Sequence, residues 1–128
     1  MFLRTRLTVL TGAAFLATGG LAAIGVATAG ATAVAPLCDG LPATIVVAAP
    51  NMVTNGGAGN DVIVGTNGRD VINGLAGDDR ICALDGDDDM RGNAGNDRMD
   101  GGSHIEGDRG DGGPGADLCV RTETRISC

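Results

Sequence analysis

The sequence predicts an all-β solenoid in which two nine-residue repeats make each coil. Three observations carry this expectation: five aligned nonapeptides, an excess of glycine, and no aromatic residue beyond Phe15. Glycine supplies 23 of the 128 residues, well above an ordinary share of about 7%. Written in nines, residues 56–100 read GGAGNDVIV, GTNGRDVIN, GLAGDDRIC, ALDGDDDMR and GNAGNDRMD. Position 1 is glycine at Gly56, Gly65, Gly74 and Gly92, with Ala83 the exception. Position 4 is always glycine (Gly59, Gly68, Gly77, Gly86, Gly95) and position 6 always aspartate (Asp61, Asp70, Asp79, Asp88, Asp97). Position 8 is always Ile or Met (Ile63, Ile72, Ile81, Met90, Met99).

Residues 1–33 read as a secretory leader. Arg4 and Arg6 precede an uncharged run over 7–26, and the small-residue triplet Ala31, Thr32, Ala33 places cleavage after residue 33. The run is long enough to span a bilayer, but its many Gly and Ala favour export and removal over anchoring. No second apolar stretch follows, so the mature chain is expected to be secreted, extracellular and free of membrane. The formal charge of −7 becomes −9 once Arg4 and Arg6 leave with the leader. That balance, with no Lys and no aromatic side chain, excludes nucleic acid as a partner and implies a cationic one. The sequence names no protein partner.

Residues 34–55 are expected to form an N-terminal cap and a degenerate repeat. Segment 47–55 (VAAPNMVTN) has the length of one nonad, with Val47 in a glycine position and Met52 in the aspartate position. The run 41–49 is apolar enough for a covering strand. All four cysteines, Cys38, Cys82, Cys119 and Cys128, lie in the mature part, which reads as a disulfide framework in an exported protein. Three pairings are possible. The short separation of Cys119 from Cys128 favours that pair and leaves Cys38–Cys82, which would pin an N-terminal segment over Val64 in the outward position-9 column.

Within 56–100, glycines at positions 1 and 4 are expected to permit positive φ and sharp turns. Positions 7–9 form a short strand whose middle residue alone faces inward, which explains the fixed Ile or Met at position 8. With 18 residues per coil, Asp61, Asp79 and Asp97 fall in one column and Asp70 and Asp88 in another. Carboxylates about 4.8 Å apart repel by about 1 kcal/mol per pair even in water. A cation between coils removes that cost. The donors are carboxylate and carbonyl oxygens without nitrogen or sulfur, which suits calcium better than zinc, copper or magnesium.

These nonads resemble the G-G-x-G-x-D-x-U-x repeats of the hemolysin-type (RTX) calcium-binding family. The likeness covers 56–100 and returns at 112–120 (GGPGADLCV). It implies a right-handed parallel β-roll with calcium between stacked loops, held by the five aspartates and by the turn glycines Gly56, Gly59, Gly65, Gly68, Gly74, Gly77, Gly86, Gly92 and Gly95. Pairing Asp61 with Asp79, Asp79 with Asp97 and Asp70 with Asp88 gives about three ions, with Asp79 bordering two. The small exported form with flanking cysteines looks like the small secreted calcium-binding repeat proteins of actinobacteria.

Residues 101–128 are expected to hold truncated repeats, a last repeat and a C-terminal cap. The stretch 101–111 is too short for two nonads, with Ile105 and Glu106 reading as one strand ending. The aspartate columns are therefore expected to break there, leaving Asp108, Asp111 and Asp117 undecided as ligands. Other motifs carry less. Asp85, Asp87 and Asp89 mimic an EF-hand start, but Met90 and Asn96 occupy positions that need Gly and Glu. Arg109-Gly110-Asp111 reads as chance in so Gly- and Asp-rich a chain. His104, Ser103 and Ser127 have no nucleophile context, and no acid–base pair stands outside the columns, so no enzyme is expected. The remaining readings are a loosely calcium-binding disordered tract, which the fixed position-8 residues oppose, and an extracellular adhesion or interaction module using the roll as scaffold.

Overall fold

Alternation of one inward residue with two outward ones gives strands too short to stand alone, so each must stack on copies of itself. A computed structural model describes residues 33–103 and 107–128. All but the last residue of the expected leader, and His104, Ile105 and Glu106, lie outside these. Twelve strands and no helix occur among the described residues: β1 (Leu37–Cys38), β2 (Leu41–Pro42), β3 (Ile45–Val46), β4 (Val53–Asn55), β5 (Val62–Val64), β6 (Val71–Ala76), β7 (Arg80–Cys82), β8 (Asp89–Ala94), β9 (Arg98–Asp100), β10 (Arg109–Asp111), β11 (Leu118–Val120) and β12 (Thr124–Ile126).

From β3 onward, odd and even strands separate into two parallel sheets, ordered β3-β5-β7-β9-β11 and β4-β6-β8-β10-β12. The chain thus crosses between sheets at every nonad, and the fold is the expected all-β parallel β-roll. The register is that of an 18-residue coil. Ile63 pairs with Ile81 and Ile81 with Met99 in one sheet, and Ile72 pairs with Met90 in the other. The five position-8 side chains are fully buried, and they line up in two files that make up most of the core.

Each end of the core is closed by a different device. At the N-terminal end Val47 is buried in the core cluster and Ile45 packs against it. At the other end Gly110 stands opposite Met90 in a position-8 slot. A Cβ on Gly110 would come 2.9 Å from the Cys119 sulfur, so the empty slot accommodates the Cys119–Cys128 disulfide.

The second disulfide joins Cys38 to Cys82. Cys38 and Val64 are both buried, and β1 lies against β5 and β7, so the N-terminal segment covers the position-9 column as expected. The run 41–49 is not one covering strand. Asp39 (φ 52°) and Gly40 (φ 83°) make the two-residue turn of a hairpin, as Asp-Gly pairs favour. β2 therefore returns antiparallel along β1, and Ile45–Val46 becomes the first parallel rung of the roll, beside β5.

The aspartate columns do not break after residue 100 either. The next rung after β9 is Arg109–Asp111, and the strand ending expected at Ile105 and Glu106 lies outside the described residues. Arg109 pairs with Asp89 and Leu118 with Arg98 at an offset of 20 residues. The ladder therefore resumes in step, two residues later than the 18-residue period would place it. The Arg109-Gly110-Asp111 tripeptide is thus a rung of a sheet, with Arg109 ion-paired to Asp89 and Asp111. Replacing Ile81 by Ala should lower stability by about 3 kcal/mol, the cost of a core cavity. Leu118, half-exposed, should cost under about 0.5 kcal/mol on the same change. Chemical denaturation of the two variants checks the contrast.

Candidate metal centre

The turn between two rungs brings position 6 of each nonad under the main chain of the coil before it. Asp70, Asp79, Asp88, Asp97 and Asp108 are all at most 2% exposed, an unusual place for carboxylates. One oxygen of each is committed to backbone. The N–H of Asp61 donates to Asp79 Oδ1 at 2.8 Å, that of Asp79 to Asp97 and that of Asp97 to Asp117 at the same distance. In the other column the N–H of Asp70 donates to Asp88 Oδ1 at 2.7 Å and that of Asp88 to Asp108 at 2.8 Å. Asp79, Asp88, Asp97 and Asp117 therefore each tie their coil to the one above through Oδ1 and keep the second oxygen for a cation, whereas Asp70 accepts from Thr66 through both oxygens.

The remaining oxygen decides the chemistry. Oδ2 of Asp79, Asp88, Asp97 and Asp117 is buried and has no hydrogen-bond partner among the described residues. A buried unsatisfied carboxylate oxygen costs more than the hydrogen bond it lacks. These oxygens also explain the glycine at position 1, and not by backbone freedom. None of Gly56, Gly65, Gly74 and Gly92 has positive φ. A Cβ on Gly74 would instead collide with Asp79 Oδ2 and come 2.9 Å from the Gly92 carbonyl oxygen. On Gly56 it would meet the Gly74 carbonyl oxygen at 2.5 Å and Asp61 Oδ2 at 2.9 Å. Position 1 is kept bare because a carboxylate oxygen and a carbonyl of the next coil converge there. Position 4 does use positive φ at Gly77, Gly86 and Gly95, where the expectation holds.

Burial dominates the protonation of this ladder. Without a cation the Asp88 acid is pushed up to about 7 and the Asp79 acid to about 6, with Asp97 raised as well. Desolvation is the largest cause in each. The N–H from the coil above pulls the other way, and the neighbouring aspartates add repulsion. No group of three or more His, Cys, Asp or Glu side chains gathers among the described residues. A cation here would be held by carboxylate together with main-chain carbonyls. Orphaned carboxylate oxygens beside bare, carbonyl-lined cradles are an all-oxygen donor set, which fits calcium.

Residues 55–90 and 83–103 match the family model of the RTX calcium-binding nonapeptide repeat, in four copies. Over these residues the nonads are similar to RTX repeats. The match covers under half of the chain and ends before the rungs of Asp108 and Asp117. No curated protein and no solved structure matches the chain, and nothing found supports an actinobacterial source.

The roll also contains a ladder that sequence reasoning missed. At position 5, Asn60 Oδ1 accepts the N–H of Asp78 at 2.9 Å, Asp78 Oδ1 that of Asn96 at 2.8 Å, and Asn96 Oδ1 that of Ala116 at 2.9 Å. It runs opposite in sense to the aspartate ladder beside it. The signal was present in residues 60, 78 and 96, but it appears only when the sequence is read in steps of 18. Asn60, Asp78, Asn96, Arg80 and Arg98 line a cleft of about 320 Å³ beside this ladder. Asp39 on the hairpin pairs with Arg80 and Arg98 across the position-7 column, so these arginines offset acid as expected.

Because the buried acids hold protons more tightly folded than unfolded, the metal-free chain loses stability as pH rises from about 4 through about 7. In the presence of a chelator, the β-type circular dichroism should be stronger at pH 5 than at pH 8. A stronger signal at pH 8 would show that the ladder is not desolvated.

Proposed function

We propose that the chain is an exported calcium-binding protein whose β-roll folds when calcium lodges between stacked turns. The observation that supports this most is the set of buried, partnerless oxygens on Asp79, Asp88, Asp97 and Asp117, each in a turn of the repeated design. The ligands proposed are these carboxylates and the main-chain carbonyls of turn glycines such as Gly74, Gly77, Gly92 and Gly95. About three ions would be needed to neutralise the two columns. Bound calcium supplies fixed positive charge, and the residues of the chain supply the geometry. The Oδ1 contacts hold each carboxylate in place, the bare position-1 glycines leave room, and the position-8 files set the coil spacing.

A site assembled from residues 18 apart does not exist in the unfolded chain, so binding energy becomes folding energy. Two disulfides and the repeat type support an extracellular setting, where calcium is plentiful and thiols oxidise. Adding calcium to the chelated protein should raise the β-type circular dichroism cooperatively. Asp79→Asn should weaken the response at least tenfold, since it removes a buried charge ligand while keeping the shape and the Oδ1 contact. A spectrum unchanged up to millimolar calcium, in a chain still lacking β-structure, would refute the proposal.

A further inference from the structure

The turns of the roll do not share one backbone. At position 2, Leu75, Leu84, Asn93, Gly102 and Gly113 have φ of 87°, 84°, 76°, 99° and 87°. Two of these are leucines, in a region that costs an L-residue about 1 kcal/mol or more. Gly57 and Thr66, at position 2 of the first turn in each column, do not have positive φ, and neither do Gly59 and Gly68 at position 4. The difference has a chemical consequence. In the first turns the position-2 N–H donates to the aspartate four residues on: Gly57 to Asp61 Oδ2 at 2.7 Å and Thr66 to Asp70 Oδ2 at 2.6 Å. The Thr66 hydroxyl adds contacts of 3.1 Å to both Asp70 oxygens, and the Thr44 hydroxyl reaches Asp61 Oδ1 at 3.2 Å. In the turns of Asp79, Asp88, Asp97 and Asp117, with positive φ at position 2, the corresponding oxygen has no such donor.

From this division we infer that the turns 56–61 and 65–70 are metal-independent caps, and that the calcium sites begin one coil later. Gly57, Thr66 and Thr44 give Asp61 and Asp70 the neutralising contacts that a cation gives elsewhere. A cation entering either first turn would have to displace a charge-assisted N–H bond and face that N–H dipole. In the later turns the same peptide no longer occupies the carboxylate. Thr66, standing where the repeat pattern has glycine, is the residue that closes Asp70 to metal. The ions then lie at Asp79, Asp88 and Asp97, with Asp117 next in line, and the first coils form a template folded ahead of calcium. This rests on the calcium reading above.

The test is a count of bound calcium by native mass spectrometry, paired with calorimetric titration, on the exported full-length product. Asp70→Asn can keep its Thr66 contacts, with the amide oxygen accepting from the N–H and the amide nitrogen donating to the hydroxyl. It should bind as many ions as the unaltered protein, with dissociation constants within about twofold. Asp61→Asn, at a half-exposed position in the other column, should do the same and serves if Asp70→Asn does not fold. Asp97→Asn should lose at least one ion. Loss of an ion in Asp70→Asn or Asp61→Asn would overturn the inference while leaving calcium binding intact. An unaltered protein that binds no calcium would overturn the calcium reading and this inference together.

Discussion

Everything in this fold depends on carboxylates stacked at the spacing of β-strands. Parallel pairing at about 4.8 Å fixes the distance between coils, and an 18-residue period puts an aspartate above an aspartate at each step. From the second coil on, the chain cannot relieve the repulsion by moving them, because one oxygen of Asp79, Asp88, Asp97, Asp108 and Asp117 holds the backbone N–H of the preceding coil. The same side chain is thus a structural tie and an electrostatic liability. Protonation relieves it partly, as the raised acids of Asp79 and Asp88 indicate. On the reading proposed above, a divalent cation relieves it through the second oxygen, which is left without a partner on Asp79, Asp88, Asp97 and Asp117.

The rest of the architecture is arranged around how little apolar surface remains. Five side chains in two files, with Val47, Ala83 and Cys119 at their edges, make a thin core for a chain with no aromatic residue in its described part. Short solenoids also leave open strand edges at both ends. One disulfide seals the far end against Gly110, and the other ties the N-terminal hairpin over β5 and β7. The Asp39 pairs with Arg80 and Arg98 are surface contacts of small energetic weight, and they align the hairpin across successive coils more than they stabilise it. Asp100, buried and held by Arg121, closes the position-9 column in the same way.

Much of this was legible in the sequence. The period, the inward Ile and Met, the aspartate columns and the two disulfides follow from residues 56–100 and from cysteine spacing. Three features were misread for identifiable reasons. Asp39-Gly40 is a hairpin signal that was passed over in favour of the apolar run after it. Residues 101–111 were expected to break the aspartate columns because they are too short for two nonads, whereas the rung at Arg109–Asp111 keeps the ladder in step at an offset of 20 residues. The position-1 glycines were explained by torsion, when the crowding comes from a carboxylate five residues on and a carbonyl of the next coil. The split between first and later turns could not be read at all, since it lies in the sign of φ at Gly57, Thr66, Leu75 and Leu84 and has no single-residue signature.

The central claim is that folding and charge neutralisation are one event, and the dependence of stability on free calcium tests it most directly. Denaturant midpoints of the oxidised protein, measured from micromolar to millimolar free calcium, report how many ions separate the folded from the unfolded state. Each ion bound only when folded adds about 1.4 kcal/mol per tenfold rise in calcium once its site is saturating. The account predicts a slope of several ions, near 4 kcal/mol per decade for three. A stability that stays flat across that range would mean that the stacked aspartates are tolerated without metal, and the account would be wrong.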